Sequence, residues 1–226
     1  MNREMKRIMD KTKAISRGIS PLDMDSRKSI LENALLIVKD ENIEKYLCFN
    51  HIIEFITDGI AWMNGEKVAP MRRLNFVYCN EFELARKYDR AARVCFSANQ
   101  IDLGALYIGV VINTIQDACI EKKGMINLLA MGHVYDEFFE QRRLLNSNIR
   151  LKPEVFFDID DYISYANDYK YSLRYKYPRS YMQQTHLNRM EKSLNLAERL
   201  CAGYFISFFD ACICRNNDEN TKNGVR

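Results

Sequence analysis

Residues 102–122, DLGALYIGVVINTIQDACIEK, decide the fold. The first half of this stretch is apolar on every side at helical spacing, and a helix of that kind is normally enclosed by other elements. From Leu103 to Ile112 it carries no charge, but this run is too short to cross a bilayer, which needs about 20 apolar residues. We therefore expect a buried central helix here and no helix that spans a membrane.

Apolar residues recur at helical spacing on both sides of this stretch, and the alternation that is typical of strands is nearly absent. Residues that commonly begin helices support a helical assignment. Ser20 is a cap residue before Pro21, and Asn80 with Glu83 forms a variant of the capping box. The predicted helices lie at about 2–16, 20–38, 43–63, 80–95, 102–122, 125–145, 158–177 and 178–213. The sequence thus predicts an all-α fold, a compact multi-helix bundle of about eight helices with a long C-terminal helix.

The chain shows no linker that would divide it before residue 215. With 226 residues, of which 47% are apolar and 28% charged, it can bury a substantial core without disulfides or metals. We expect a single helical domain over 1–215, in which residues 1–65 are a candidate N-terminal packing layer. The last segment, 216–226, has the polar sequence NNDENTKNGVR and is predicted to be a short disordered tail.

The cysteines and the N-terminus indicate the compartment. The seven cysteines are scattered, mostly in apolar surroundings, and no two are spaced as C-x-x-C. This pattern is typical of reduced core thiols and excludes the usual zinc knuckle. Residues 1–17, MNREMKRIMDKTKAISR, are charged throughout and lack the apolar core of a secretory signal. We expect a cytoplasmic protein that does not bind membranes.

Motifs for cofactors and metals are absent from the sequence. There is no Walker loop, no G-x-G-x-x-G and no G-x-S-x-G, so nucleotide hydrolysis, dinucleotide binding and common serine hydrolysis are unsupported. None of the three histidines has a glutamate three residues before it, as a di-iron site in a helical bundle requires. We expect no metal and no cofactor.

Seven of the 13 tyrosines lie in one run, YISYANDYKYSLRYKYPRSY (162–181). A phenol ring can stack on a nucleobase while a neighbouring cation meets a phosphate, and this run interleaves its rings with lysines and arginines. Because the formal net charge is only +3, any basic surface must be local. The predicted contact surface comprises Lys170, Tyr171, Arg174, Tyr175, Lys176, Tyr177, Arg179, Tyr181 and Arg189, extended by Arg72, Arg73 and Arg90.

Two functions fit this surface. The first is binding of nucleic acid, with RNA or single strands favoured over duplex bases. The second is a non-enzymatic role as an adaptor, inhibitor or complex subunit, because Tyr171 and Tyr175 share a helix face that could bind a protein partner or a second copy of the chain. A structural role competes with both, since Tyr162, Tyr165 and Tyr169 follow the spacing of a buried helix face. Exposure of the rings decides between a contact surface and core packing.

Arg179 and His186, separated by six residues at the start of the last predicted helix, resemble the active-site pattern of the HEPN superfamily. The resemblance implies a metal-independent ribonuclease, in which the histidine acts as general acid or base on a ribose 2′-hydroxyl and the arginine steadies the phosphate. Ser180 departs from the Asn, Asp or His that commonly follows this arginine, and the helical class is the only other shared feature. The sequence therefore leans toward a protein that is not an enzyme and leaves the ribonuclease as an alternative.

Overall fold

The computed structural model describes residues 22–64, 81–120, 151–176 and 183–223, of which 64, 174, 183, 184, 186 and 213–223 are described by their backbone alone. Within these ranges the chain forms seven α-helices and no strand, which confirms the all-α prediction. The helices are α1 (Met24–Glu41), α2 (Ile43–Asn50), α3 (Ile53–Asn64), α4 (Glu81–Ser97), α5 (Ile101–Cys119), α6 (Ile159–Lys176) and α7 (Gln183–Asn223). The predicted helices at 2–16 and 125–145 lie outside the described residues.

Helix α5 occupies the centre of the bundle. It packs most broadly against α3 and α4 and also contacts α1, α6 and α7. Every residue from Ile108 to Gln116 is buried, because neighbouring helices cover α5 on all sides. The prediction of a buried central helix is confirmed, and the observed helix ends at Cys119, slightly earlier than expected.

Two glycines allow α3 and α5 to touch backbone to backbone. A Cβ atom added to Gly59 would lie 2.0 Å from the carbonyl oxygen of Leu106, and one added to Gly109 would lie 2.0 Å from the carbonyl oxygen of Ile56. No real Cβ atom approaches an oxygen so closely. The lack of a side chain at both positions therefore sets the spacing between the central helix and α3.

Helix α1 begins later than the sequence predicts. The Asp23 carboxylate accepts a hydrogen bond of 2.8 Å from the Ser26 backbone amide, so Asp23 is the N-cap and Met24 is the first helical residue. The predicted cap at Ser20 is wrong for this helix.

The predicted helix over 43–63 is broken in two. Helix α2 ends at Asn50, and the Ile52 amide donates to the Phe49 carbonyl oxygen at 3.1 Å before α3 begins at Ile53. Phe49 is fully buried against Phe205 of α7, whereas the backbone of α3 lies against α5. The turn lets one apolar stripe pack against two different neighbours, which a straight helix could not do.

Helix α7 is the longest helix, with 41 residues, and it packs against α1, α5 and α6. Its inner side carries large apolar side chains, among them Leu200, Phe205 and Phe208, all of which are buried. The predicted long C-terminal helix is confirmed. Its backbone reaches Asn223, so the helix overlaps the segment 216–226 in which we expected a tail.

Candidate partner-binding surface

The segment 151–158, which leads into α6, is held against α7. The Glu154 backbone amide donates to the Arg199 carbonyl oxygen at 3.1 Å. The Arg199 guanidinium donates in return to the Lys152 carbonyl oxygen at 2.9 Å and to the Glu154 carboxylate. Gly203 makes room for this approach, since a Cβ atom there would lie 1.7 Å from the Glu154 carbonyl oxygen. The irregular backbone of this segment is therefore fixed in place.

Tyr162 fixes the end of the same segment from the side of α6. Its hydroxyl accepts a hydrogen bond from the Phe156 amide at 2.9 Å and donates to the Phe156 carbonyl oxygen at 3.1 Å, with the Ser207 hydroxyl of α7 also at 3.1 Å. Burial raises the pKa of the Tyr162 hydroxyl, which therefore stays protonated as a donor. The first ring of the tyrosine run is a structural residue.

Phe157 projects from this anchored backbone into solvent. Its side chain is 103% exposed, as open as in an isolated peptide, and the nearby Val155 is half exposed. Phe156, between them, packs inward against the Tyr162 ring at 5.1 Å between centroids. Leaving a phenylalanine in water forgoes about 2 kcal/mol of burial. Phe157 and Val155 thus place two exposed apolar side chains on an anchored backbone, which makes this segment a candidate contact site.

Three acids surround the start of α6. The Asp158 carboxylate accepts a hydrogen bond from the Asp160 amide at 3.0 Å, a local pattern with which aspartates begin turns and helices. Asp160 binds Arg86 of α4 through both carboxylate oxygens, and these hydrogen bonds raise the pKa of the Arg86 guanidinium. Asp161 is exposed. These acids lie at the N-terminus of α6, where the helix dipole favours negative charge.

The tyrosine run is divided between the core and the surface. Tyr162 is 1% exposed, and Tyr169 packs partly against the core. The exposed fractions of Tyr165, Tyr171 and Tyr175 are 37%, 54% and 87%. Tyr171 and Tyr175 lie on one helix face, as their spacing predicts, and that face is exposed. Tyr162 and Tyr169 pack against the core, whereas Tyr165, which shares their spacing, is exposed.

The outward side of α6 carries tyrosine, serine and aspartate. The exposed residues on this side, which we call the tyrosine face, are Asp161, Ser164, Tyr165, Asp168, Tyr171, Ser172 and Tyr175. They recur at intervals of three and four residues and so form one stripe along the helix. Among the described side chains one cation adjoins this stripe, the exposed Lys176, which lies four residues after Ser172 at its C-terminal end.

The basic residues predicted to accompany the rings are arranged differently. Lys170 turns inward and donates to the Ala118 carbonyl oxygen in the last turn of α5 at 2.8 Å, and Arg189 is buried in α7. Neither therefore lies on the outward side with the rings. Lys176 of α6 and Arg90 of α4 are exposed. The other predicted residues lie outside the described side chains, namely Arg72, Arg73, Arg174, Tyr177, Arg179, Tyr181 and His186.

The described part of the molecule is acidic. Among its described side chains, aspartates and glutamates outnumber lysines and arginines, although the whole chain has a formal net charge of +3. The lysines and arginines that give the whole chain its positive charge are therefore mostly residues whose side chains are not among those described. Among the described side chains near the tyrosine face, Asp158, Asp161 and Asp168 are exposed, with Arg86 beside Asp158 and Asp160 at one end and Lys176 at the other.

Sequence reasoning missed a polar network between α4 and α7. The Tyr204 hydroxyl donates to one Asp89 oxygen at 2.9 Å, and Arg93 Nε donates to the other at 2.8 Å. Burial, reinforced by the Asp89 carboxylate, raises the pKa of Tyr204 well above its ordinary value. In the sequence, Asp89 and Arg93 look like a surface pair one turn apart, and nothing links them to a tyrosine 115 residues later. Because Tyr204 stays protonated at neutral pH, it remains a hydrogen-bond donor to Asp89, and the network joins α4 to α7.

A cleft of about 490 Å³ opens between α1 and α3. Acidic residues Glu32, Glu54 and Asp58 line it together with the apolar side chains of Leu31 and Ile53. Over the part of the chain that the structure describes, we find no cluster of three or more His, Cys, Asp or Glu suited to a metal ion. In the same ranges, no helix has both the length and the hydropathy of a membrane span.

Similarity to known proteins does not indicate a family for this chain. No protein-family model matches it, and a search of the curated proteins finds no similar sequence. A function for the chain must therefore be inferred from its own residues.

Proposed function

We propose that this chain is a non-enzymatic binding protein, an adaptor or a subunit of a larger assembly, which contacts a protein partner through the tyrosine face and the neighbouring Phe157. The observation that supports this most strongly is the exposure of Tyr171 and Tyr175, by 54% and 87%, on a helix whose opposite side is packed into the core. Tyrosine rings provide a large contact area at low entropic cost, because only two torsions must be fixed. The cytoplasm suits such a protein, since the described cysteines are free thiols.

The rigidity of this surface supports the same proposal. Ile163 and Ala166 bury the inner side of α6, and the hydrogen bonds of Tyr162 and Arg199 hold the preceding segment. A ring on a fixed backbone loses little conformational freedom when it binds, so more of the contact energy appears as affinity. Phe157 and Tyr175 are therefore suited to act as anchors in a partner's pockets.

The composition of the tyrosine face favours a protein partner over nucleic acid. Asp161 and Asp168 lie among the rings, and their negative charges would repel a phosphate backbone. Tyrosine and serine, which make up the rest of the face, are among the residues enriched in the protein-binding surfaces of antibodies. Lys170, the lysine nearest to the exposed Tyr171, is directed to the end of α5 instead.

Nucleic-acid binding is the second candidate, and one observation favours it. Tyr171 and Tyr175 are exposed one turn apart, with Lys176 exposed beside them, so two bases could stack close to a cation. Such a site would suit single strands or RNA better than a duplex. The HEPN-like ribonuclease stays a prediction from the sequence, because the side chains of Arg179 and His186 are outside those described.

Affinity capture from an extract of the source organism tests the protein-binding proposal. We expect tagged full-length protein to retain a partner in near-stoichiometric amount after nuclease treatment. The Tyr171→Ala/Tyr175→Ala variant should lose about 90% or more of it, as expected when two aromatic anchors are removed. Val94→Ala, at an exposed apolar residue of α4, is the control and should retain the partner. Equal retention by the double variant and the wild type would contradict the proposal.

Titration of a fluorescent single-stranded RNA across a salt series tests the second candidate. Nucleic-acid binding should weaken steeply as salt rises and should fall in the Tyr171→Ala/Tyr175→Ala variant. Lack of binding at low salt would eliminate this candidate. In the same samples, RNA cleavage that is lost in both Arg179→Ala and His186→Ala would establish the ribonuclease, and unchanged cleavage would remove these two residues from any mechanism.

A further inference from the structure

We infer that the tyrosine face binds a segment of its partner that carries arginine side chains. This inference rests on the proposed function and specifies the chemistry of the protein that the surface accepts. It follows from the way in which carboxylates and rings alternate along the outward side of α6.

Two carboxylates of the tyrosine face are available to a ligand. Asp161 and Asp168 are exposed and form no ion pair with any residue that the structure describes, whereas the nearby Asp160 is engaged by Arg86. Seven helical residues separate the two acids along the axis by about 10 Å. That distance is close to the screening length of about 8 Å at physiological ionic strength. A positively charged ligand that lies along the face is therefore attracted by both carboxylates.

Each available carboxylate has a tyrosine within one helical turn. Asp161 lies four residues before Tyr165, and Asp168 lies three residues before Tyr171. Residues at these spacings are neighbours on a helix surface. An arginine can donate paired hydrogen bonds to a carboxylate while its planar group stacks on an adjacent ring, and the compact ammonium of lysine does this less well. The face thus places a carboxylate within one helical turn of a tyrosine at two points, of which the Tyr165 ring also packs against Phe156 at 5.3 Å between centroids.

The same residues disfavour two other occupants. A second copy of the chain, paired face to face about a two-fold axis, would bring Asp161 and Asp168 against a face that carries the same two acids and has Lys176 as its one described cation, at its C-terminal end. A phosphate-bearing ligand would meet two negative charges. An arginine-bearing protein segment satisfies both the charges and the rings.

Fluorescence anisotropy with labelled peptides on the full chain tests this inference. The probes are four repeats of Gly-Arg-Ser and matched peptides in which lysine or glutamate replaces arginine. We expect the arginine peptide to bind about threefold tighter than the lysine peptide or better, and the glutamate peptide not to bind. The Asp161→Asn/Asp168→Asn variant should bind the arginine peptide about fivefold more weakly.

The matched control removes two other exposed acids. Glu32→Gln/Glu54→Gln changes the cleft between α1 and α3 and should leave the affinity for the arginine peptide within about twofold. Equal affinity for the arginine and lysine peptides, or an equal loss in the control variant, would overturn the inference.

Failure of this inference can be distinguished from failure of the proposed function. If the captured partner is lost in Tyr171→Ala/Tyr175→Ala but kept in Asp161→Asn/Asp168→Asn, the surface binds protein and the arginine-bearing segment is excluded. If the tyrosine variant keeps the partner, both the proposed function and the inference fail.

Discussion

At the scale of single residues, tyrosines of this chain serve opposite purposes. Tyr204 donates to Asp89, whose other oxygen accepts from Arg93, and the Arg93 guanidinium lies 5.3 Å from the centre of the Phe208 ring. Asp89 is nearly buried, so its charge is tolerated only because both of its oxygens are hydrogen-bonded. Tyr175, by contrast, leaves its ring in solvent. Residue type alone does not separate the two roles.

Replacement of Tyr204 by phenylalanine should lower the free energy of unfolding by about 1–3 kcal/mol, because the buried Asp89 carboxylate loses a hydrogen bond. Urea denaturation measures the effect. Tyr165→Phe removes a hydroxyl from an exposed ring and is the control, with an expected change below about 0.5 kcal/mol. Equal effects of the two substitutions would show that the Tyr204 hydroxyl has no special role.

Stability should fall in alkaline solution because of two enclosed thiols. Burial raises the pKa of Cys119 and of Cys201. In the unfolded chain a thiol ionises near pH 8.5, whereas in the folded protein both keep their protons. The stabilisation is thus complete below about pH 8.5 and is lost above it, by about 1.4 kcal/mol per pH unit for each thiol. Denaturation between pH 7 and 10.5 should show a shallower decline for Cys119→Ala/Cys201→Ala than for the wild type, and parallel curves would contradict this reading.

Spacing in the sequence was sufficient to place Tyr171 and Tyr175 on one face, because helical periodicity is a local property. It could not reveal that Lys170 caps the central helix. The acceptor, the carbonyl oxygen of Ala118, lies 52 residues away in the chain and enters only through tertiary packing. The same limit explains why Arg189 was expected on the surface.

At the scale of helices, burial could be predicted where a helix is apolar on every side. Helix α5 is apolar all round, and it lies at the centre. The break between α2 and α3 gave no such signal, since Phe49 and Ile56 continue one stripe with a spacing of seven residues and neither Gly nor Pro intervenes. The chain turns there because α2 packs on α7 and α3 packs on α5, which is a property of the assembled bundle.

The close crossing of α3 and α5 predicts that replacing a glycine there with alanine lowers the stability of the protein. Glycine to alanine inside a helix normally stabilises it by about 1 kcal/mol. Gly109→Ala should instead destabilise by about 2 kcal/mol or more, because the added methyl group would meet the backbone oxygen of Ile56. At Gly104 the methyl group would meet the Phe96 ring, a side chain that can move, so the loss should be smaller. Thermal denaturation measures the stability of both variants. A Gly109→Ala protein that is more stable than the wild type would contradict the close backbone contact between α3 and α5.

The lysine at the end of α5 provides a second test at this scale. Lys170→Met should cost about 0.5–1 kcal/mol of stability, because the Ala118 carbonyl loses a charged donor at the negative end of the central helix. Lys176→Met, at an exposed residue of the same helix α6, should cost little. Urea denaturation of both variants measures the difference. Matching losses would mean that Lys170 has no capping role.

At the scale of the whole molecule, the distribution of charge changes the interpretation of the tyrosine run. The lysines and arginines among its tyrosines suggested nucleic acid as the first partner, although the formal net charge of the chain is only +3. The described body is acidic, however, and its outward tyrosines stand among aspartates. Composition could not show this, because it sums over cations that lie elsewhere in the sequence. A protein partner with basic side chains fits the resulting surface better.

The rate at which individual tyrosines are nitrated by tetranitromethane tests the central claim most directly. In the isolated full-length protein, mass spectrometry should find Tyr171 and Tyr175 modified much faster than Tyr162 and Tyr204, because the first two are exposed and the others are enclosed. When the captured partner is bound, Tyr171 and Tyr175 should become protected. Nitration of Tyr175 as slow as that of Tyr162 in the isolated protein, or equally fast with and without the partner, would contradict the claim that the tyrosine face is a binding surface.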